Sequence, residues 1–227
     1  VKPLRILHDS DDGNTPSVPD DADLVLIVHP KTRMTPIEEE ALSLFVGGGG
    51  SLGIFLEPES MIPEFVTRLG VRVSPFTLRD TPTLWPHEDW PVMRYGRHEV
   101  TEELIAENVS TVVGRATALF REEMTGVSAI PVLKTSHRAW IEKGEEQPAR
   151  FDDGVDARDT YDVGILMSVA PAHPMVDKGV ISRVAVFGDS NFITDEMMDH
   201  LGNPNFSVNV MRWLIGDDDR MALVGRV

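Results

Sequence analysis

Leu24-Val25-Leu26-Ile27-Val28 and Leu52-Gly53-Ile54-Phe55-Leu56 are two continuous apolar runs with a punctuated helix between them. A strand that is apolar at nearly every position is buried on both faces, the habit of parallel strands covered by crossover helices. The helix declares its own ends. Thr35 stands at the N-cap, Pro36 at the first helical position and Glu38 three residues after the cap, which is the capping-box pattern, and Glu38, Glu39 and Glu40 occupy the positive first turn. Ile37, Ala41, Leu44 and Phe45 form the apolar stripe, and Gly47 offers a left-handed stop. After the second run, Glu57-Pro58-Glu59-Ser60 leads into a second helical pattern with Met61, Ile62, Phe65, Val66 and Leu69, closed by Gly70. Strand, helix, strand, helix in this rhythm predicts a parallel sheet with right-handed crossovers.

Upstream, Leu4 to Leu7 is a further short apolar run, and Asp9 to Asp23 has the Asp, Pro, Gly and Ser content of a loop. Downstream the pattern weakens. Residues 71–110 read as an irregular excursion over the sheet, with Thr101 to Glu107 as one or two helical turns. Val109 to Val113, Ala116 to Phe120, Val127 to Leu133 and Tyr161 to Ala170 read as strands, and the charged stretch Glu142 to Asp159 as loop. Val184-Ala185-Val186-Phe187 is again a buried run, and a helix capped by Thr194 is expected to reach Met198. Phe206, Val210, Trp213 and Leu214 then space a helix over Asn205 to Ile215, ended by Gly216, and Met221 to Val227 reads as an edge strand. The expectation is one α/β domain over residues 1–227, a three-layer αβα fold with a mainly parallel sheet of flavodoxin or amidotransferase type.

Composition narrows the function. With 37 acidic residues against 21 Lys plus Arg, the 227-residue chain carries a net charge of −16, so nucleic acid is not an expected partner. It contains no cysteine, which removes disulfides, thiolate metal sites and every thiol nucleophile. No stretch approaches 18 uninterrupted apolar residues, so no membrane span is expected within the chain, and Val1 to Ser10 lacks the regions of a signal peptide.

Three motifs invite chemistry. Gly48-Gly49-Gly50-Ser51-Leu52-Gly53 spells G-x-G-x-x-G, but it follows a helix and precedes a strand, the reverse of what places a pyrophosphate on a helix N-terminus. His98-Glu99-Val100-Thr101-Glu102 has glutamate where a zinc-binding helix needs its second imidazole, and the acidic runs Asp9 to Asn14 and Asp217 to Asp219 do not keep calcium-loop spacing, so no metal or cofactor is expected. Val186-Phe187-Gly188-Asp189-Ser190 resembles the nucleophile block of GDSL-type esterases, which would make Ser190 a nucleophile on the turn after a strand. Only 37 residues follow it, and His200 has Met197 where that family's D-x-x-H block has its aspartate.

Read in order, three longer stretches resemble the extracytoplasmic auxiliary domain of gliding-motility-type ABC transporters. They are Asp21 to Pro58, then Pro131-Val132-Leu133-Lys134-Thr135-Ser136 with Trp140, then Val184 to Phe192 continuing through Gly202-Asn203-Pro204-Asn205-Phe206 to Gly216. That family's fold is similar to class I glutamine amidotransferases and to the N-terminal domain of an intraflagellar transport subunit. The resemblance implies that the elbow after Leu52 to Leu56, where active amidotransferase-like domains carry cysteine, here reads Glu57-Pro58-Glu59. It further implies a noncatalytic domain on the periplasmic face, tethered through parts of the protein outside this chain, whose partners are the membrane subunits of an ABC transporter.

In an open α/β sheet, ligands sit beyond the carboxyl ends of the strands. That rim would collect Asp9, Ser10, His29, Glu57, Asp189, Ser190 and Asn191, a set suited to hydrogen-bonding a sugar or another neutral polar ligand, or to coordinating a hard cation, better than to binding an anion. The competing expectation is that Asp189 and Asn191 cap local backbone amides, Asn205 and Asn209 pin the last helix, and nothing binds. The tryptophans between Trp85 and Tyr95 offer either an interface or a lid on the sheet.

Overall fold

The structure is a computed structural model and describes residues 17–144, 149–171 and 181–217. The runs at Leu4 to Leu7 and Met221 to Val227, and the candidate residues Asp9 and Ser10, lie outside the described residues. Among the described residues, eleven strands and four short helices follow in chain order. They are β1 (Leu24–Val28), α1 (Pro36–Gly47), β2 (Ser51–Phe55), α2 (Glu64–Arg68), β3 (Val71–Arg79), β4 (Val92–Tyr95), α3 (Glu102–Ala106), β5 (Thr111–Val112), β6 (Thr117–Arg121), β7 (Val127–Lys134), β8 (Ala139–Glu142), β9 (Arg158–Asp159), β10 (Asp162–Val169), β11 (Ser182–Phe187) and α4 (Asn203–Leu214).

The expected mainly parallel three-layer αβα fold is not what forms. The sheet is mixed and mostly antiparallel, in the order β1-β2-β11-β10-β6-β3-β8-β9, with β7 on β10, β4 on β7 and β5 on β4. Among the described residues only β1–β2 and β2–β11 pair in parallel. The excursion expected over 71–110 is largely built into the sheet. β3 buries Val71, Ser74 and Leu78 and shifts register between Val73 and Thr77, where Pro75 cannot donate to a ladder. The Thr117 hydroxyl repairs the break, donating to the Ser74 carbonyl at 2.6 Å and to that of Phe76 at 3.1 Å. Pro131 sits in the same way beside a register shift of β7 against β10. The stretch expected as loop after Glu142 includes β9, which pairs with β8.

The helices follow their punctuation. At α1 both arms of the capping box form: the Glu38 amide donates to Thr35 Oγ1 at 3.3 Å, and the Thr35 amide to Glu38 Oε2 at 2.7 Å. The left-handed residue after α1 is Gly49 (φ 104°), not Gly47, which is the last helical residue. α2 begins at Glu64, later than the apolar Met61 and Ile62 suggest, with Pro63 in the extended N-cap position and no side-chain cap. Its first amides are taken instead by the buried Glu39 of α1, whose carboxylate accepts from Glu64 N at 2.7 Å and Phe65 N at 2.9 Å. The helix expected from Thr194 to Met198 does not form; residues 191–193 make one 3-10 turn and the chain runs on in turns to Leu201.

Two apolar clusters hold the sheet. On one face Leu42, Val46, Phe65 and Val66 of α1 and α2 pack on Val25, Ile27, Leu52, Ile54, Val184 and Val186. On the other, Phe206, Val210, Trp213 and Leu214 of α4 pack on Phe55, Ala185, Phe187 and Phe192. Full burial of such side chains stabilises by about 1.5 to 3 kcal/mol each. No helix of the described residues is long and apolar enough to cross a membrane.

Candidate functional site

Parallel pairing of β1, β2 and β11 brings their carboxyl ends to one rim, where the chain leaves as His29, Glu57 and Asp189. Glu57 is the hub. Its Oε1 accepts from the Ser190 backbone N–H at 2.9 Å, from the Ser190 hydroxyl at 2.6 Å and from Asn191 Nδ2 at 3.0 Å. Its own backbone N–H donates to Ser60 Oγ at 2.8 Å, so the elbow Glu57-Pro58-Glu59-Ser60 closes as a tight turn instead of opening a helix. Asn191 Nδ2 also donates to Asp189 Oδ1 at 3.1 Å, and Asp189 Oδ2 accepts from the Phe192 amide at 3.0 Å, capping the 3-10 turn. One amide nitrogen thus bridges two carboxylates.

Most of the cluster is buried: Glu57 is 4% exposed, Asp189 0% and Ser190 6%, while Asn191 is half-buried. Burial pushes the Asp189 carboxyl up to about 6, with the Glu57 charge adding to the rise and hydrogen bonds from Phe192, Asn191 and the Gly114 backbone opposing it. Two glycines make the approach possible. A Cβ on Gly188 would stand 2.1 Å from the Thr117 carbonyl oxygen, and one on Gly114 would stand 2.9 Å from Asn191 Cβ.

Four of the seven expected rim residues, Glu57, Asp189, Ser190 and Asn191, therefore meet in one hydrogen-bonded network. His29 shares the rim through its backbone, which continues the β1 ladder by donating to the Phe55 carbonyl at 2.8 Å in a left-handed conformation (φ 43°). Its Nε2 is buried without a hydrogen-bond partner. Three cavities lined by described residues, of about 900, 830 and 560 Å³, include none of these rim residues. No group of three or more His, Asp or Glu among the described residues is placed to hold a metal ion.

Chemically, the arrangement gives the Ser190 hydroxyl a carboxylate partner, and that carboxylate is shared with two further donors. Sequence reasoning missed Ser60 and the second buried carboxylate site, where Asp80 accepts from Ser136 N at 2.6 Å and Ser136 Oγ at 2.5 Å. It also assigned the pinning of the last helix to Asn205, whereas Asn203 does that work. The Asn203 side chain accepts from Val112 N at 2.9 Å and donates to Val112 O at 3.0 Å, pairing with β5 as a strand would. Asn209 does contribute, donating to the Val100 carbonyl at 3.1 Å.

Compared with known proteins, the chain matches no family model and no curated sequence. Among solved structures it is similar to the mmIFT52 N-terminal domain, with a TM-score of 0.62 at 16% identity over 85% of this chain and 77% of that one. It also aligns with a ThuA-like protein from Bacteroides uniformis, with a TM-score of 0.46 at 14% identity over 85% of this chain and 69% of that one. The first likeness shows a shared fold, and the second is too slight to argue from.

Proposed function

We propose that the chain is a noncatalytic accessory domain of an ABC-type transport system, placed outside the membrane and acting through protein contacts. The observation that carries the noncatalytic part is the closure of the rim upon itself. Glu57 Oε1, the Ser190 hydroxyl, Asn191 Nδ2 and both Asp189 oxygens are engaged with one another or with backbone amides, in a site where Glu57, Asp189 and Ser190 are buried. A nucleophile needs a free trajectory to its substrate and a base able to take its proton. Here the Ser190 backbone N–H and hydroxyl both point at the same Glu57 oxygen, the pattern of a side chain fastening a turn. The transport part rests on the three ordered stretches from Asp21 to Gly216 that resemble auxiliary domains of such transporters. With Glu57, Asp189 and Ser190 buried and bonded within the cluster, contact between surfaces is the favoured mode of action, ahead of a sugar held by Glu57, Asp189 and Asn191.

The test is purification of the full-length protein from its native membranes under mild detergent. The reading expects the permease and ATPase of one ABC transporter to co-purify in fixed ratio. Recovery of the protein free of both, or a thermal shift by a simple sugar that is lost in Asp189→Ala, contradicts it.

A further inference from the structure

We infer that the hairpin at residues 80–92 is a preformed docking tip whose anchor is Trp85, fitted to a protein partner that offers an apolar slot rimmed by Lys and Arg. The inference rests on the reading that the domain works through protein contacts, and it names the surface that makes them. The two tryptophans of this hairpin are used in opposite ways. Trp90 is buried, packs with Val112 and Met197, stacks on His87 at 3.8 Å between ring centroids and meets His200 edge-on at 5.2 Å. Trp85 is 89% exposed, and no other large apolar side chain of the described residues exceeds 57%. Leaving an indole in water forgoes a burial free energy that most folds would take, so its exposure calls for an occupant.

The backbone beneath Trp85 is fixed before any partner arrives. Asp80 anchors the base through Ser136 and the Thr81 amide, Thr83 bridges Pro91, and the Val92 amide donates to the Pro82 carbonyl at 3.0 Å. Nearer the tip, Leu84 N donates to Trp90 O at 2.9 Å and His87 N to Leu84 O at 2.7 Å. A rigid aromatic anchor loses little conformational freedom on binding, which is how interface hot spots gain their affinity. Charge names the partner. The exposed neighbours of Trp85 on the hairpin include Glu88 and Asp89, on a chain of net charge −16, so a basic protein surface is attracted. An anionic lipid surface and a second copy of this acidic chain are repelled.

The experiment places a benzophenone photo-crosslinker at position 85 of the full-length protein in its native membranes, with the exposed Val155 as control position. The expected result is one protein adduct at 85 that is absent at 155. Recombinant binding to that protein should weaken about 30-fold in Trp85→Ala, the change corresponding to about 2 kcal/mol. It should also weaken in E88K/D89K, with the melting temperature of both variants unchanged. The inference is overturned by no adduct, by an adduct to lipid or to a second copy of the chain, or by unchanged affinity in Trp85→Ala. If the adduct is a protein other than a transporter subunit, the transport reading fails and the docking tip stands. If transporter subunits co-purify with Trp85→Ala as fully as with wild type, the docking tip fails and the transport reading stands.

Discussion

The unit of β1, β2 and β11 with α1 and α4 and the unit running from β3 to β10 solve the same problem in different ways. In the first, strands pair in parallel and each leaves at a common rim, so polar residues from remote parts of the sequence converge there; Glu57 and Ser190 are 133 residues apart and joined by 2.6 Å. In the second, strands pair antiparallel, irregularities at Pro75 and Pro131 are absorbed by register shifts, and the polar clusters serve the backbone they interrupt. The difference teaches that the rim is a seam. Gly188 touches Thr117 of β6, Gly114 makes room for Asn191, and the Glu57 cluster lies where the two units join.

The seam should therefore be the most sensitive place in the molecule. Gly188→Ala places a methyl group 2.1 Å from a backbone oxygen that has no rotamer to escape into. Its expected cost is above about 4 kcal/mol, seen as insoluble protein or as loss of the cooperative urea transition. Glu57→Ala comes next. It leaves the buried Ser190 amide without an acceptor and removes one of two acceptors of Asn191, for a loss of about 3 kcal/mol by urea denaturation, whereas Glu57→Gln should recover part of it.

Third is pH. The Asp189 carboxyl is pushed from 3.8 up to about 6 in the folded protein, so the native state binds that proton more tightly than the unfolded chain. Its contribution to stability is full below about pH 4 and is lost as pH rises through about 6, a change of at most about 3 kcal/mol. Urea midpoints of wild type should fall relative to those of Asp189→Ser between these limits. Because the Glu57 charge is the second cause of the rise, the fall should shrink in Glu57→Gln. The smallest effect lies away from the seam. Thr35→Ala removes the cap of α1 for about 1 kcal/mol, with no change in pH dependence.

The same division explains what the amino-acid sequence made legible. Continuous apolar runs and a complete capping box are local signals, and β1, α1, β2 and β11 lie where those signals put them, although β1 is not buried on both faces as expected, since Leu26 and Val28 are exposed on an edge strand. β3 carries Pro75, and its strand character depends on β6 and β8, which lie far along the chain, so no local pattern announces it. The parallel rhythm at the two ends of the sequence says nothing of a middle that pairs antiparallel, because strand direction is fixed by partners and not by composition. At the rim, residue types were legible while their use was not. Glu57, Ser190 and Asn191 read equally well as ligand groups and as caps, and only their mutual distances of 2.6 to 3.0 Å separate the two.

The claim at the centre of this account is that Ser190 fastens a turn to Glu57 and attacks no substrate. Initial rates of 4-nitrophenyl acetate and butyrate hydrolysis, measured for the full chain and for Ser190→Ala at matched concentration, test it most directly. Both proteins should leave the rate at that of buffer alone. Saturable turnover by wild type that disappears in the folded Ser190→Ala protein would contradict it.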